Sequence, residues 1–439
     1  VTLLACRLDD EMTDAVRVGV LGCGNVGGAL VSLITREADA IAARTGIRLE
    51  ITRVAVRDLN KPRPDELDRS LLTTDANEVV TADDVDVVVE IMGVLDPADE
   101  LIRKALAAGK AVVTANKELL ATRGVDLFGA AAAAGRDLLF EAAVAGGIPL
   151  IRPLRESLAG EPITRIMGIV NGTTNFILTR MTEDGADYGD ALAEAQRLGY
   201  AEPDPTADVG GYDAGAKVAI LASIAFGVGV ALDDVYCEGI TNITATDIAF
   251  AQRLGYVVKL LGIAEQVDGQ VGVRVHPAMV PATHPLASVR DSFNAVFIEG
   301  QAVGELMLYG RGAGAMPTSS ALLGDLLDAA HNLRQGGAGR APVLSTAKLR
   351  SVDDLRSQYY LALDVADRPG VLATVAGVLG NHGVSIQSME QQGLGDDARL
   401  VFITHVAREA DVQNTLKELD GLDAVRNIGG LLRVIGDEK

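Results

Sequence analysis

VRVGVLGCGNVGG, residues 16–28, opens with a six-residue run that is apolar apart from Arg17 and leads directly into Gly22-Cys23-Gly24-Asn25-Val26-Gly27. The first part reads as a buried strand, and the glycine pattern after it reads as a tight strand-to-helix turn. In such a turn the first glycine makes the bend and the second lets backbone approach a pyrophosphate. The third lets helix and strand pack closely. The helix that follows points its N-terminal amides at the phosphates. Gly22, Gly24, Asn25, Val26 and Gly27 are therefore the expected contacts of a dinucleotide.

Outward from this loop, LEITRVAV (49–56), VDVVVEI (85–91), AVVTA (111–115) and DLLF (137–140) read as strands, with helical segments at 97–108 and 118–134. Apolar strands spaced by helices predict βαβ units and a Rossmann-type parallel sheet over residues 16–150, an α/β domain. The second strand ends in Arg57-Asp58. A carboxylate there holds ribose hydroxyls, whereas a guanidinium suits a 2′-phosphate. The expectation is NADP(H) in preference, with NAD(H) also usable through Asp58.

Residues 151–333 change character. ITRIMGIVN (163–171) reads as a strand, followed by helical segments and the loop AEPDPTADVGG (201–211). A small-residue helix at 213–230, more helix and a strand-rich stretch near 271–310 complete an α+β domain for catalysis and oligomerisation. Residues 334–357 are rich in Gly, Arg and Ser and read as a linker. From 358 to 439 the order is strand 359–365, helix 369–382, strands 384–391 and 399–406, helix 409–419 and strand 425–435. This βαββαβ order predicts a ferredoxin-like plait.

Bulk composition excludes several classes. The chain has 439 residues, 4% aromatics and a net charge of −21, the wrong sign for a surface that tracks phosphates, so no nucleic-acid partner is expected. Cys6, Cys23 and Cys237 are too far apart for a metal or redox pair, and the five histidines are scattered. The opening VTLLACRL is too short for a signal peptide, and the uncharged stretch 218–232 falls short of a membrane span. A cytoplasmic protein with no membrane partner is expected.

The second constellation is GYAEPDPTADVGGYDAGAK, residues 199–217. Asp213 and Lys217 lie four apart and share a helix face. The stretch after Lys217, VAILASIAFGVGVAL, has no charge and reads as a buried helix, so Lys217 points into a site or a buried ion pair rather than into bulk water. There, desolvation and neighbouring carboxylates compete to set its pKa.

The run resembles the signature of homoserine dehydrogenases in the spacing of Glu202, Asp208, Asp213 and Lys217. TANK (114–117), EAAVAGGIP (141–149), GIVNGTTNF (168–176) and GRGAGAMPTSSALLGD (310–325) extend the resemblance along the whole chain. The resemblance implies that Lys217 is the proton donor, that Glu202 and Asp213 hold the amino-acid substrate and that Asp208 supports the pocket. It implies a second lysine near substrate and nicotinamide, Lys117, with Thr114 in the same motif. It also implies that Gly199 and Gly314 approach the cofactor. Glu141, Val144, Gly146 and Ile148 match a sodium site built mostly from main-chain carbonyls. The implied reaction is the NAD(P)H-dependent reduction of L-aspartate 4-semialdehyde to L-homoserine, by a homodimer or homotetramer.

YYLALDVADRPGVLATVAGVLGNHGVSIQSMEQQG (359–393) resembles the start of an ACT domain. The implied effector is L-threonine, held by Asp367, Gly370 and Asn381. No kinase-like segment precedes Val16, so a monofunctional enzyme is expected. Two alternatives stay open: a dehydrogenase for another amino-acid semialdehyde, and a non-catalytic sensor of nucleotide and amino acid.

Overall fold

The computed structural model describes residues 15–393 and 395–436; Cys6 and the opening run VTLLACRL lie outside them. The chain divides into two compact units. The first takes the described residues up to Pro149 together with Ala313–Pro342, and the second takes Leu150–Gly312 and the described residues from Val343 onward.

In the first unit the strands β1 (Val16–Leu21), β2 (Leu49–Ala55), β3 (Leu72–Thr73), β4 (Val87–Glu90), β5 (Ala111–Thr114) and β6 (Leu138–Leu139) form a sheet in the order β3-β2-β1-β4-β5-β6. Every pair is parallel. The expected Rossmann-type sheet is present. Its order reverses beside β1, so the turn after β1 sits at the switch point where such sheets bind nucleotides.

The domain boundary differs from the expectation. The helix Ala315–Arg334, assigned by its position to the second domain, packs in the first unit. Its Leu322, Leu326, Ala329 and Ala330 share one buried cluster with Val18, Val20, Leu30 and Ile34. These positions recur at helical spacing, so the apolar stripe needs a sheet face to cover it. Ser319 Oγ donates to the Val26 carbonyl at 3.0 Å, tying this helix to the glycine loop.

The second unit contains β7 (Ile163–Ile169), β8 (Val228–Gly229), β9 (Tyr236–Cys237), β10 (Tyr256–Val267), β11 (Gln270–Pro281), β12 (Phe293–Gly300), β13 (Gly304–Arg311), β14 (Ser345–Thr346), β15 (Arg356–Ala366), β16 (Ile386–Gly393), β17 (Asp397–Thr404), β18 (Ala407–Arg408) and β19 (Val425–Val434). Among the described residues its main sheet runs β13-β12-β7-β10-β11-β19-β15-β17-β16, with β9 on β11 and β18 on β15. The region before 271, expected to be helical, does hold the helix Ala245–Arg253, but it also holds all of β10. Val258 through Glu265 are buried without interruption, and a strand covered on both faces shows no alternation to read.

The C-terminal βαββαβ element is as expected, yet it is not a separate bead on a linker. β19 pairs in parallel with β11, Ala278 opposite Arg433 and Met279 opposite Val434, so one sheet runs through both parts. The segment read as a linker is also engaged: β14 pairs with β8, and Leu349 bridges Val271. At the seam Arg433 is 1% exposed and its guanidinium grips Glu409 at 2.8 and 2.7 Å and Glu238 at 2.7 Å. Tyr360 Oη donates to Asp247 across the same seam at 3.0 Å. No helix among the described residues is long and apolar enough to cross a membrane.

Candidate active site

The glycine loop has three glycines with three different spatial needs. Gly22 has φ +104°, a left-handed conformation, and a Cβ there would lie 2.9 Å from the Ile91 carbonyl oxygen. At Gly27 a Cβ would meet the Gly22 carbonyl oxygen at 2.4 Å, so the helix packs too closely for any side chain. Gly24 has nothing within 4 Å and leaves its backbone open to a ligand. It also caps the helix Asn25–Arg36 with no side-chain hydrogen bond, and no acid sits in the first turn. Free amides at an uncapped helix start suit a pyrophosphate. A dinucleotide fits this cradle.

Arg57 is exposed beyond β2, and the Asp58 carboxylate accepts from the Asn60 amide at 2.9 Å. Arg63, which no motif marks, donates to the Cys23 carbonyl and, at 3.1 Å, to the Asp58 carbonyl. It therefore ties the glycine loop to the turn after β2. Asn25 is exposed and Val26 is partly buried, with its carbonyl taken by Ser319.

Thr114, expected near the cofactor, is fully buried. Its hydroxyl donates to Glu90 at 2.6 Å and accepts from the Asn116 amide at 3.0 Å. Burial pushes the Glu90 carboxyl up, against the hydrogen bonds from Thr114, Met92 and Asn116. This network braces the turn from which Lys117 begins the helix Lys117–Ala134.

The amino-acid constellation is assembled in the second unit. Lys217 Nζ donates to Asp213 Oδ2 at 2.6 Å and to the Val170 carbonyl at 2.7 Å. The two side chains of that pair are 12% and 11% exposed. Asn171 Nδ2 donates to Asp208 Oδ1 at 2.7 Å and to Asp213 Oδ2 at 2.9 Å. Burial raises the Asp208 carboxyl above its ordinary range; the Asn171 hydrogen bond and Lys217 oppose this, and Asp213 adds to it. Asp208, Asp213 and Lys217 are thus brought together as expected. Glu202 stays exposed, held through its carbonyl by Gln196 Nε2 at 3.1 Å. Gly199 has φ +77°, and Thr173 Oγ1 fastens the next residue, Tyr200, through its carbonyl at 2.6 Å. Asn171 and the Val170 carbonyl were not singled out by sequence. The available signal was an asparagine three residues before Thr174 at a strand end, which is an N-cap pattern.

Gly314 has φ +120° and, like Gly24, starts its helix, Ala315–Arg334, with no side-chain cap. Glu141–Ala143 form a 3₁₀ turn, after which Ala145 and Gly146 adopt φ +57° and +51°. The local amides of Ala143 and Ile148 bond to the carbonyls of Phe140 and Ala145. Those bonds do not consume the carbonyls of Val144, Gly146 and Ile148, and the buried Glu141 carboxylate lies in the same turn. Oxygen donors of this kind fit a hard cation.

In the C-terminal domain Asp367, Gly370, Gln391 and Leu400 line a cavity of about 340 Å³. Gly370, at φ +91°, starts the helix Val371–Asn381. Asn381 ends the same helix and does not line the cavity. At 1.5 Å per residue the helix carries it roughly 15 Å away, which removes it from this pocket.

Comparison with known proteins matches all three parts. The homoserine dehydrogenase NAD-binding profile covers residues 22–141, the homoserine dehydrogenase profile 149–327 and the ACT profile 359–424. The chain is 50% identical over 431 residues to the homoserine dehydrogenase of Corynebacterium glutamicum, covering 96% of each chain. It is 48% identical over 433 residues to that of Mycobacterium tuberculosis, covering 96% of this chain and 98% of that one. A homoserine dehydrogenase crystal structure from Thiobacillus denitrificans superposes with a TM-score of 0.90 at 40% identity, covering 96% of this chain and 98% of that one. The chain belongs to the homoserine dehydrogenases, NAD(P)-dependent oxidoreductases of the CH–OH group in threonine, methionine and isoleucine biosynthesis.

Proposed function

We propose that this enzyme interconverts L-aspartate 4-semialdehyde and L-homoserine at the Asp208–Asp213–Lys217 constellation, with Lys217 as proton donor. The observation that carries the reading is the lysine's bonding. Two of the three N–H donors of its ammonium are engaged by Asp213 and Val170. Among the described residues no hydrogen bond takes the third, which leaves it for a substrate oxygen.

When bound, the reduced nicotinamide supplies a hydride to the aldehyde carbon. The C=O π electrons move onto oxygen, where the Lys217 ammonium stabilises the alkoxide and gives it a proton. Asp213 aims that ammonium through its 2.6 Å contact. Glu202 and Asp213 hold the substrate's α-ammonium by charge-assisted hydrogen bonds, and Asp208 supports them. Lys117 serves as a second cation for the substrate.

NADP(H) is the preferred cofactor, through Arg57 and a 2′-phosphate, with NAD(H) accepted. An archaeal homoserine dehydrogenase at 28% identity and TM-score 0.60 is a complex with NADPH. Sodium binds the 141–148 turn through Glu141, Val144, Gly146 and Ile148. L-threonine binds the ACT domain at Asp367 and Gly370, and the enzyme works in the cytoplasm as a homodimer or homotetramer. The domains serve as nucleotide-binding, catalytic and regulatory parts.

The test is NADP⁺ reduction by L-homoserine, followed by absorbance with and without millimolar L-threonine. Turnover suppressed by threonine supports enzyme and effector together. Turnover without suppression removes threonine. No turnover with either nucleotide, sodium and potassium being present, overturns the assignment of substrate.

A further inference from the structure

Asn171 stands where β7 gives way to the helix Gly172–Asp184, and it is 4% exposed. Its side-chain oxygen accepts from the Thr174 amide at 2.8 Å and lies 2.9 Å from Thr174 Oγ1. A backbone N–H can only donate, so the oxygen is turned into the helix start and the amide nitrogen faces the other way. That nitrogen has two hydrogens, and it has two carboxylates to meet: Asp208 at 2.7 Å and Asp213 at 2.9 Å. Asp213 uses the same oxygen, Oδ2, for Asn171 and for Lys217. The other contact of Lys217 is the carbonyl of Val170, the residue immediately before Asn171.

Two carboxylates drawn together beside one ammonium repel each other. A neutral amide that donates to both holds them at a fixed separation without adding charge. We propose that Asn171 is the positioning residue of the amino-acid site: its capped amide sets the spacing of Asp208 and Asp213 and, through Asp213 Oδ2, aims the Lys217 ammonium. The proposal rests on the reading that this constellation is the catalytic site. Asn171 touches carboxylates and a helix end, so it acts through its neighbours rather than on the substrate.

The charged and hydrogen-bonding groups that meet Asp208 are Asn171 and Thr173 from the strand end and helix start, and Asp213 and Lys217 from the helix Tyr212–Phe226. Of these, Asn171, Lys217 and Thr173 favour the ionised form, while Asp213 opposes it along with burial. Loss of the amide therefore moves protonation of Asp208 upward in pH. At a pH where Asp208 takes up that proton, the constellation holds the substrate's α-ammonium less well.

Serine separates this role from simple capping. Asn171→Ser keeps a good helix N-cap, because a hydroxyl accepts from the N2 or N3 amide as well as an asparagine does. It cannot donate to two carboxylates at once. The measurements are kcat, KM for L-homoserine, the pH profile of kcat/KM, the melting temperature and NADP⁺ affinity, on the full chain.

The expected result is kcat/KM lower by about 10- to 100-fold, the worth of a hydrogen bond to a charged group. The acid limb should move to higher pH, with melting temperature and NADP⁺ affinity close to the parent's. Asn171→Asp retains the cap but adds a third carboxylate, so its loss should be deeper near neutral pH and shrink as pH falls. Asn171→Ser with the parent's kcat/KM and pH profile would overturn the proposal. So would a loss in kcat/KM that only tracks a lower melting temperature. Lys217→Met in parallel keeps the two readings apart. If that variant turns over normally, the site assignment fails. If it is inactive while Asn171→Ser is unaffected, only the role of Asn171 fails.

Discussion

The glycine loop of the first unit and the amino-acid site of the second solve opposite problems with opposite materials. The loop is six consecutive residues whose chemistry is backbone: a left-handed turn at Gly22, an open approach at Gly24 and a close contact at Gly27. The amino-acid site draws Val170 and Asn171 from one strand end, Asp208 from the short helix Thr206–Val209, and Asp213 and Lys217 from the helix Tyr212–Phe226. Its chemistry is charge, and it depends on partners up to 47 positions apart. A phosphate is recognised by amides that every residue carries, so local conformation is enough. An ammonium and a hydride acceptor need specific charges at specific separations, which only long-range packing supplies.

Lys217→Ala tests the charge side of this contrast and carries the largest effect. Turnover with L-homoserine should fall by about 10²- to 10⁴-fold, the usual worth of a positioned acid or base. NADP⁺ binding, measured by fluorescence or calorimetry, should be nearly unchanged, since the glycine loop does not need the lysine. Near-normal turnover would remove Lys217 from the mechanism.

The second unit should also respond as one body. Arg433→Met leaves the buried Glu409 carboxylate without its guanidinium. Breaking such a pair costs about 3–5 kcal/mol, to be read as a lower denaturation midpoint. Because β19 extends the sheet at β11, the catalytic part should be affected too, and cutting the chain near residue 350 should expose β11 as an unpaired edge rather than release an intact enzyme. Full activity after that cut would show that the shared sheet is dispensable.

The glycine loop can be split internally. Gly27→Ala forces a Cβ against a backbone oxygen and should cost about 1–3 kcal/mol of stability, as overpacking does. Gly24→Ala has room, so its melting temperature should hold while NADP⁺ affinity drops. If both variants lose affinity and stability together, the division of labour between the two glycines is wrong.

The smallest effect is a pH dependence at the seam. His276 is fully buried near Arg433 and Arg274, and burial first, then those cations, holds its pKa well below the ordinary 6.5. Below about pH 6.5 the unfolded chain takes up a proton that the folded chain refuses. Stability therefore falls as pH drops through that window, by up to about 1.4 kcal/mol per pH unit from this group. Urea midpoints at pH 7.5 and 5.5 should differ less in His276→Leu than in the parent. An unchanged difference would clear His276 of the effect.

Much of the fold is legible in the sequence alone. β1, β2, β5 and the C-terminal βαββαβ order were readable because glycine turns and β-branched runs are local signals. β10 was not, because burial on both faces erases its alternation. That the helix Ala315–Arg334 packs in the first unit is not legible in the sequence, since an apolar stripe does not say which sheet will cover it. Asp213 and Lys217 were paired from their four-residue spacing. Asn171 was passed over because its two carboxylate partners lie 37 and 42 positions away.

By itself the sequence determined the parallel nucleotide fold, the glycine loop and the helical pairing of Asp213 with Lys217. Each of these follows from steric limits or periodicity within a few turns of chain. Only the tertiary structure decided that the C-terminal domain shares a sheet with the catalytic one, that Thr114 is spent in bracing a loop, and that one asparagine amide joins both aspartates. Those outcomes depend on which buried polar groups find partners, and that is settled by packing between segments the chain keeps far apart.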